Sequence, residues 1–357
     1  MVADRLSFIY HDAYGERGFS KLKDSWRRYI LSRQLLRELD LLPPAAFAPP
    51  DDRHPLQEVQ PAEATDDEIL RVHAPEHLQN LIEADARGTG FLDYGDTPAW
   101  PGVLRRARLA VGGTLLAARR VADGSARCAF NPAGGLHHAR RDRIGGFCPL
   151  NDIVIAVRHL QTQFGVQRIA IIDLDGHHGD GTEALLDDEP ILTVSMHRFG
   201  GRFYPGTGGS ESVGRGAGFG YNLNIPLERG TDGATYLQSF ERWVIPAVTA
   251  YRPEIMILVV GADSHGADPL VRLGLALPDF QRLATQIRLL ADNQCEGRLV
   301  AVAGGGYSPE HVARVWAVYL ATLTRSWPDG DPRMLALFEQ DRLASVGRTP
   351  YLDCAAD

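Results

Sequence analysis

The chain has 357 residues, 44% of them hydrophobic and 23% charged, the balance of a globular protein that buries a sizeable core. A formal charge of −8 and a pI near 5.8 weigh against direct binding to nucleic acid or to anionic membranes. No run approaches the roughly 20 apolar residues of a membrane span, and residues 1–5 lead into no signal-peptide core, so a cytoplasmic location is expected. Cys128, Cys148, Cys295 and Cys354 are widely spaced and form no CxxC pair, which argues against a disulfide framework or a cysteine zinc site.

In chain order, residues 22–41 read as an amphipathic helix. Trp26, Tyr29, Ile30, Leu35, Leu36 and Leu39 fall on its apolar side, while Arg27, Arg28, Arg33 and Arg37 are expected mostly on the solvated side. The Pro-rich piece 42–50 reads as a surface loop. Thr65-Asp66-Asp67-Glu68 has the acid-rich start of a helix, and a second short helix follows Pro75. Residues 104–121 read as a longer, Ala-rich helix with basic residues in its last turn. From there, strands predicted at 127–130, 168–174, 191–195, 255–261 and 299–303 alternate with helices at 150–163, 235–251, 279–292 and 309–325. That rhythm predicts a single domain over 1–357, built on a doubly wound, mostly parallel sheet with helices on both faces, a three-layer α/β/α arrangement. Each strand runs into a polar cluster, at 131–141, 173–180, 195–198, 261–268 and 304–307. Open α/β sheets bind ligands beyond the carboxyl ends of their strands, so the five clusters are expected on one rim.

The densest cluster is Asp173-Leu174-Asp175-Gly176-His177-His178-Gly179-Asp180, where an apolar strand ends in three carboxylates and two imidazoles. Burying such charge is expensive unless something offsets it, and a divalent cation does so. Alternate side chains of an extended segment share a face, so Asp173, Asp175 and His177 are expected to point one way, with Asp175 and His177 gripping a metal. A hydrogen-bonded strand end without metal is the alternative, and it leaves the cluster costly. Asp263, after the apolar run 255–260, is a third candidate ligand. Three ligands with an open position describe a catalytic zinc site, and the same donors accept ferrous iron. For His265 and Asp268 ordinary loop roles are expected.

Two carboxylate ligands acidify a bound water less than histidines would, so a general base becomes useful. His137 and His138, in the Gly-rich stretch 131–139, can supply it. Each could be oriented by a carboxylate through its other ring nitrogen, with Asp173 and Asp180 as the natural partners. Tyr307 follows Gly304-Gly305-Gly306, where the backbone can pass close to a ligand, and its hydroxyl could stabilise the oxyanion of amide hydrolysis. Taken singly, a surface His pair and a packed Tyr are the blander readings. The stretches 145–148 and 203–206 add aromatics suited to channel walls. The glycines at 214, 216, 218 and 220 lack the flanking strand and helix of a nucleotide loop and read as a flexible connection.

Taken together, Gly134-Gly135-Leu136-His137-His138-Ala139, Gly146-Phe147-Cys148, Asp173 to Gly181, Phe203 to Gly208, Gly261-Ala262-Asp263 and Gly304 to Tyr307 resemble the histone deacetylase family, including its bacterial acetoin-utilisation-type members. The resemblance runs in order from about residue 90 to 325. It implies an arginase/deacetylase-like α/β fold and a zinc-dependent amidohydrolase, with zinc on Asp175, His177 and Asp263. It implies His137 and His138 as the general acid/base pair, Asp173 and Asp180 behind them, and Tyr307 on the carbonyl oxygen. Gly146, Phe147, Tyr204 and Gly305 would line an acyl-lysine tunnel, and Asp96 would match a rim acid that holds the substrate backbone. A structural potassium ion is implied at Asp173, Asp175, His177, Ser195 and Met196, several through main-chain carbonyls.

The implied substrate is an acylated, foremost acetylated, lysine of a protein, and the alternative is a small acylated amine such as an acetylated polyamine. A non-catalytic acyl-binding module and a two-manganese ureohydrolase are the rivals. Departures from the family pattern are Tyr204 where Phe is usual, Leu136 before the His pair, Pro149 after Cys148, and the lack of an early His-Pro in 19–23. They bear on the acyl group and the substrate and leave the catalytic set intact.

Overall fold

The computed structural model describes residues 6–16 and 24–346. The first residues of the predicted 22–41 helix, the segment 19–23, residues 1–5 and Cys354 lie outside the described residues. Among the described residues, eight strands form one sheet: β1 (Leu6–Ile9), β2 (Leu56–Val59), β3 (Cys128–Asn131), β4 (Ile169–Asp173), β5 (Leu192–Arg198), β6 (Asn222–Leu227), β7 (Ile255–Val259) and β8 (Leu299–Val302). Their order is β2-β1-β3-β8-β7-β4-β5-β6, and every neighbouring pair is parallel.

The early helices are α1 (Arg27–Glu38), α2 (Asp66–Leu70), α3 (Pro75–Arg87), α4 (Val103–Ala122), α5 (Asp152–Phe164) and α6 (Asp180–Leu186). The later ones are α7 (Gly233–Ser239), α8 (Ile245–Tyr251), α9 (Leu277–Cys295), α10 (Pro309–Leu323) and α11 (Pro332–Val346). Apolar side chains leave the central strands on both faces, as the near-continuous hydrophobic runs require. In β4, Ile169 and Ile171 enter one apolar cluster while Ala170 and Ile172 enter the other. β7 divides the same way, with Ile255, Ile257 and Val259 opposite Met256 and Leu258. The first cluster draws mainly on α2 to α6 and the second on α1 and α7 to α11, which gives three layers, helix on sheet on helix. Each fully buried Ile or Val contributes about 1.5–3 kcal/mol relative to exposure.

The sheet has three strands beyond the five that periodicity predicts: β1 and β2 towards one edge and β6 at the other. β6 carries Pro226, which cannot donate to a ladder and is tolerated at an edge. Helices α6 and α11 are likewise additional, and the predicted helix at 235–251 is broken by a π-turn over Phe240–Val244. Of the α1 arginines, Arg27 is exposed as expected, while Arg28 and Arg33 depart from the solvated side. Arg28 donates to the carbonyls of Gly304 and Gly306 (3.1 and 3.2 Å), and Arg33 is paired with the buried Glu58 (2.6 Å).

Because all eight strands run parallel, their carboxyl ends share one rim. The loops after β3, β8, β7 and β4, four consecutive strands of the sheet, meet there. The polar cluster at 195–198 lies inside β5 rather than beyond it.

Candidate metal centre

β4 ends at Asp173, so strand alternation does not carry through to His177. The chain turns over 174–179 and enters α6 at Asp180. Asp173 is not part of the group that Asp175 and His177 join; its Oδ2 bonds to His137 Nδ1 and its Oδ1 accepts the N–H of Asp175 (3.0 Å). Asp175, His177 and Asp263 converge instead, all buried, with their ligand atoms within 4.8 Å of one another. His177 Nδ1 stands 3.2 Å from Asp175 Oδ1 and 3.1 Å from Asp263 Oδ2. The outer oxygens accept backbone N–H groups, Asp263 Oδ1 from Gly176 (2.9 Å) and Asp175 Oδ2 from Gly305. A Cβ on Gly305 would come within 2.2 Å of Asp263 Oδ2 and 2.8 Å of Asp175 Oδ2, so only glycine lets the chain pass here.

Two buried carboxylates face one imidazole, and the cluster is short of positive charge. Burial alone would lower the His177 pKa, but its hydrogen bonds to Asp175 and Asp263 outweigh that and lift it to about 10. Burial and the neighbouring charge of Asp175 push the Asp263 carboxyl up, to about 7. A proton on His177 is the least that this arrangement demands. A dication supplies more charge and leaves Nδ1 a ligand. With bonds of about 2.0–2.1 Å, tetrahedral zinc ligands stand roughly 3.3 Å apart, close to the two separations around His177. The donor set therefore fits zinc, and it fits ferrous iron as well.

The loop after β3 brings His137 and His138 alongside. His137 Nδ1 bonds to Asp173 Oδ2 (2.6 Å) and His138 Nδ1 to Asp180 Oδ1 (2.7 Å), while Arg140 holds the other oxygen of Asp180 (2.7 Å). An ionised carboxylate only accepts, so each Nδ1 carries its proton. The two Nε2 atoms then face each other at 3.0 Å and share a proton between them. Burial works against a charge on His137, but Asp173 and Asp175 (3.8 Å from its Nε2) lift its pKa to about 9. Burial and the neighbouring His137 push His138 down to about 3, so the shared proton sits on His137.

A cavity of about 200 Å³ opens beside this group, bordered by His137, His138, Asp175, Gly146, Phe147, Gly305 and Tyr307, and it continues past them to Arg28 and Trp100. The Tyr307 ring lies 6.2 Å from that of His177 and 6.3 Å from that of Phe147, and its backbone N–H donates to Asp268 (2.9 Å). Burial and the charge of Asp263 push its phenol well above the usual range, which keeps it a donor. Tyr204 packs edge-on against His138 at 4.9 Å and is 38% exposed, while Phe203 stacks on His177 at 5.0 Å. Asp96 is exposed, on a loop folded by Asp93, and does not border the cavity. Ser195 sits across from Asp173 in the β4–β5 register and bonds to His197 Nδ1 (2.9 Å), with Met196 fully buried next to it. His265 and Asp268 take loop roles, His265 bonding to Asp341 and Asp268 accepting from Leu270, Val271 and Tyr307. Cys128, Cys148 and Cys295 are free.

Arg28 escapes a reading of the sequence. Its bond to Gly304 spans 276 residues, and the only local sign is a cation within an amphipathic period.

Residues 27–323 match the family defined by the histone deacetylase domain. The acetoin utilization protein AcuC of Bacillus subtilis (strain 168) is 36% identical over 323 residues, covering 87% of this chain and 80% of its own length. The histone deacetylase-like amidohydrolase of Pseudomonas aeruginosa is 36% identical over 255 residues, 70% of this chain and 66% of that protein. Among solved structures, that of an HDAC homolog complexed with SAHA superposes with a TM-score of 0.79 at 27% identity, over 94% of this chain and 89% of the other.

Proposed function

The chain belongs to the histone deacetylase family and is a deacetylase-type hydrolase, and from that premise we propose that it is a zinc-dependent enzyme removing acetyl groups from lysine side chains. The observation that carries this reading is that the His137–His138 pair, Asp175 and Tyr307 border one cavity. Asp175, His177 and Asp263 would hold zinc, or ferrous iron, which when bound supplies a Lewis acid for the amide carbonyl and the attacking water. Tyr307 donates its hydroxyl to the carbonyl oxygen as negative charge develops there. As a ligand Asp175 would lend less of its charge to His137, and the imidazole pair would take up the proton of the attacking water, Asp173 steadying the charge on His137. The same pair, with His138 as the donor, then returns a proton to the departing nitrogen. Asp173 and Asp180 keep both rings in the Nδ1–H tautomer throughout.

On this reading Gly146, Phe147, Tyr204 and Gly305 line the acyl-lysine tunnel and Asp96 holds the substrate backbone at its rim. Asp173, Asp175, His177, Ser195 and Met196 hold a structural potassium ion, the chain acts as one catalytic domain, and it works in the cytoplasm. The test is turnover of a fluorogenic acetyl-lysine peptide. Chelation should abolish it and zinc restore it, and Tyr307→Phe should lower kcat about 100- to 1000-fold with KM little changed. Full activity after chelation or in Tyr307→Phe refutes the mechanism.

A further inference from the structure

Asn151 and Asp152 open α5 and are both fully buried, yet neither borders the cavity. Asp152 has no cationic partner among the described residues, and a buried carboxylate without one is costly. Its role has to be read from the groups that it accepts. Asp152 takes the N–H of Leu136 (2.7 Å), the N–H of Gly135 (3.1 and 3.0 Å to its two oxygens) and the hydroxyl of Thr114 (2.5 Å). Those two peptide groups immediately precede His137. Asn151 works on the other side of the pair. Its Nδ2 donates to the carbonyl of Ala139 (3.1 Å), to Thr182 Oγ1 (3.1 Å) and, at longer range, to the carbonyl of His137 (3.4 Å). Its Oδ1 accepts from Val154 N–H (3.0 Å) and so caps the helix. The N–H of Thr182 also donates to the His137 carbonyl (2.9 Å), which ties the pair to α6, the helix that begins with Asp180.

We propose that Asn151 and Asp152 are positioning residues that fix the spacing and ring orientation of His137 and His138 by gripping the backbone on both sides of them from one helix end. The inference rests on the reading of that pair as the proton carrier. Without Asp152, the N–H groups of Gly135 and Leu136 are left unpaired in the interior and the loop can turn to satisfy them. A displacement of about 1 Å in a reacting group costs on the order of 100-fold in rate. Asparagine at 152 keeps an oxygen for Gly135 and Leu136 and offers its amide to Thr114, so Asp152→Asn is the conservative variant.

The test uses the full-length, zinc-loaded protein with Asp152→Ala, Asn151→Ala and Asp152→Asn. It follows kcat and KM on an acetyl-lysine peptide, zinc per chain, and the ¹⁵N resonances of the imidazoles. In Asp152→Ala, kcat should fall about 10- to 100-fold while KM stays within about threefold and zinc remains bound. Asp152→Asn should recover to within about fivefold of the parent, and the His137 and His138 resonances should leave their Nδ1–H positions in Asp152→Ala and in Asn151→Ala but not in Asp152→Asn. Unchanged kcat in folded Asp152→Ala, or a loss wholly accounted for by KM or zinc, overturns the proposal. Should Asp152→Ala not fold, Asn151→Ala carries the same test. A wild-type protein inactive on acetylated amines would sink the deacetylase reading instead, and the imidazole resonances would still decide the role of the two residues: no change on substitution defeats it.

Discussion

Asp263 and His265 stand two residues apart on the loop after β7, yet they join two buried clusters of the same residue types with opposite charge balance. Asp263 meets Asp175 and His177, two carboxylates to one imidazole. His265 meets His311 and Asp341, two imidazoles to one carboxylate. In the second group Asp341 accepts from His265 Nε2 (2.8 Å) and His311 Nδ1 (2.6 Å), with Arg314 at 3.5 Å. His265 Nδ1 accepts from Ala267 N–H (3.0 Å), so its proton is on Nε2, aimed at the carboxylate. The donors there already offset the single negative charge. In the first group two carboxylates face one imidazole, and burial together with the charge of Asp175 pushes the Asp263 carboxyl up. Three clustered His and Asp side chains do not by themselves mark a metal site; a surplus of negative charge is what favours a cation there.

The contrast is most sharply broken by neutralising one anion on each side. Asp263→Asn should empty the first cluster. Bound zinc after dialysis should drop from one per chain to a small fraction, and deacetylation should fall by more than the roughly 10- to 100-fold that loss of an outer-shell partner costs. Asp341→Asn should leave zinc content and kcat as they are and lower the unfolding free energy by about 2 kcal/mol, the worth of a hydrogen bond to a charged group. Metal analysis with urea denaturation on both variants checks the pair. A second equivalent of zinc in the wild type that is lost in Asp341→Asn would erase the distinction.

The two clusters also differ in how far the sequence announces them. Asp175 and His177 lie in one short stretch, directly after an apolar run, so their chemistry is written locally. Asp263 needs only a second run of the same kind. The Asp341 cluster joins residues 30 and 76 positions apart through α11, a helix that local patterning does not predict. The same limit hides β1 and β2, where four residues give only two turns of a period-two pattern. In β6, Asn222, Asn224 and Pro226 interrupt the apolar signal. Arg28, Asn151 and Asp152 are invisible for a related reason: most of their partners are backbone groups, which carry no residue identity to match. Strand alternation, sound for Ile169–Asp173, does not extend to His177 because the strand ends at Asp173, whose carboxylate pairs with His137.

Acid gives the gentlest handle on the comparison, because it titrates Asp341 without altering the side chain. Burial alone would raise this carboxyl, but the hydrogen bonds from His265 and His311 and their nearby charge outweigh it and hold the group well below the ordinary carboxylate range. With the folded pKa below the unfolded value of about 3.9, the unfolded chain takes up the proton first as the pH falls. The stabilisation by Asp341 is therefore whole above that pH and drains away as the pH drops through it towards the lower, folded value. Asp341→Asn has no carboxyl to titrate. The gap in unfolding free energy between wild type and variant should accordingly be wider at pH 6 than at pH 3.5, read by urea titration at each. A gap that holds or grows in acid would mean that Asp341 is not the charged acceptor of two imidazoles.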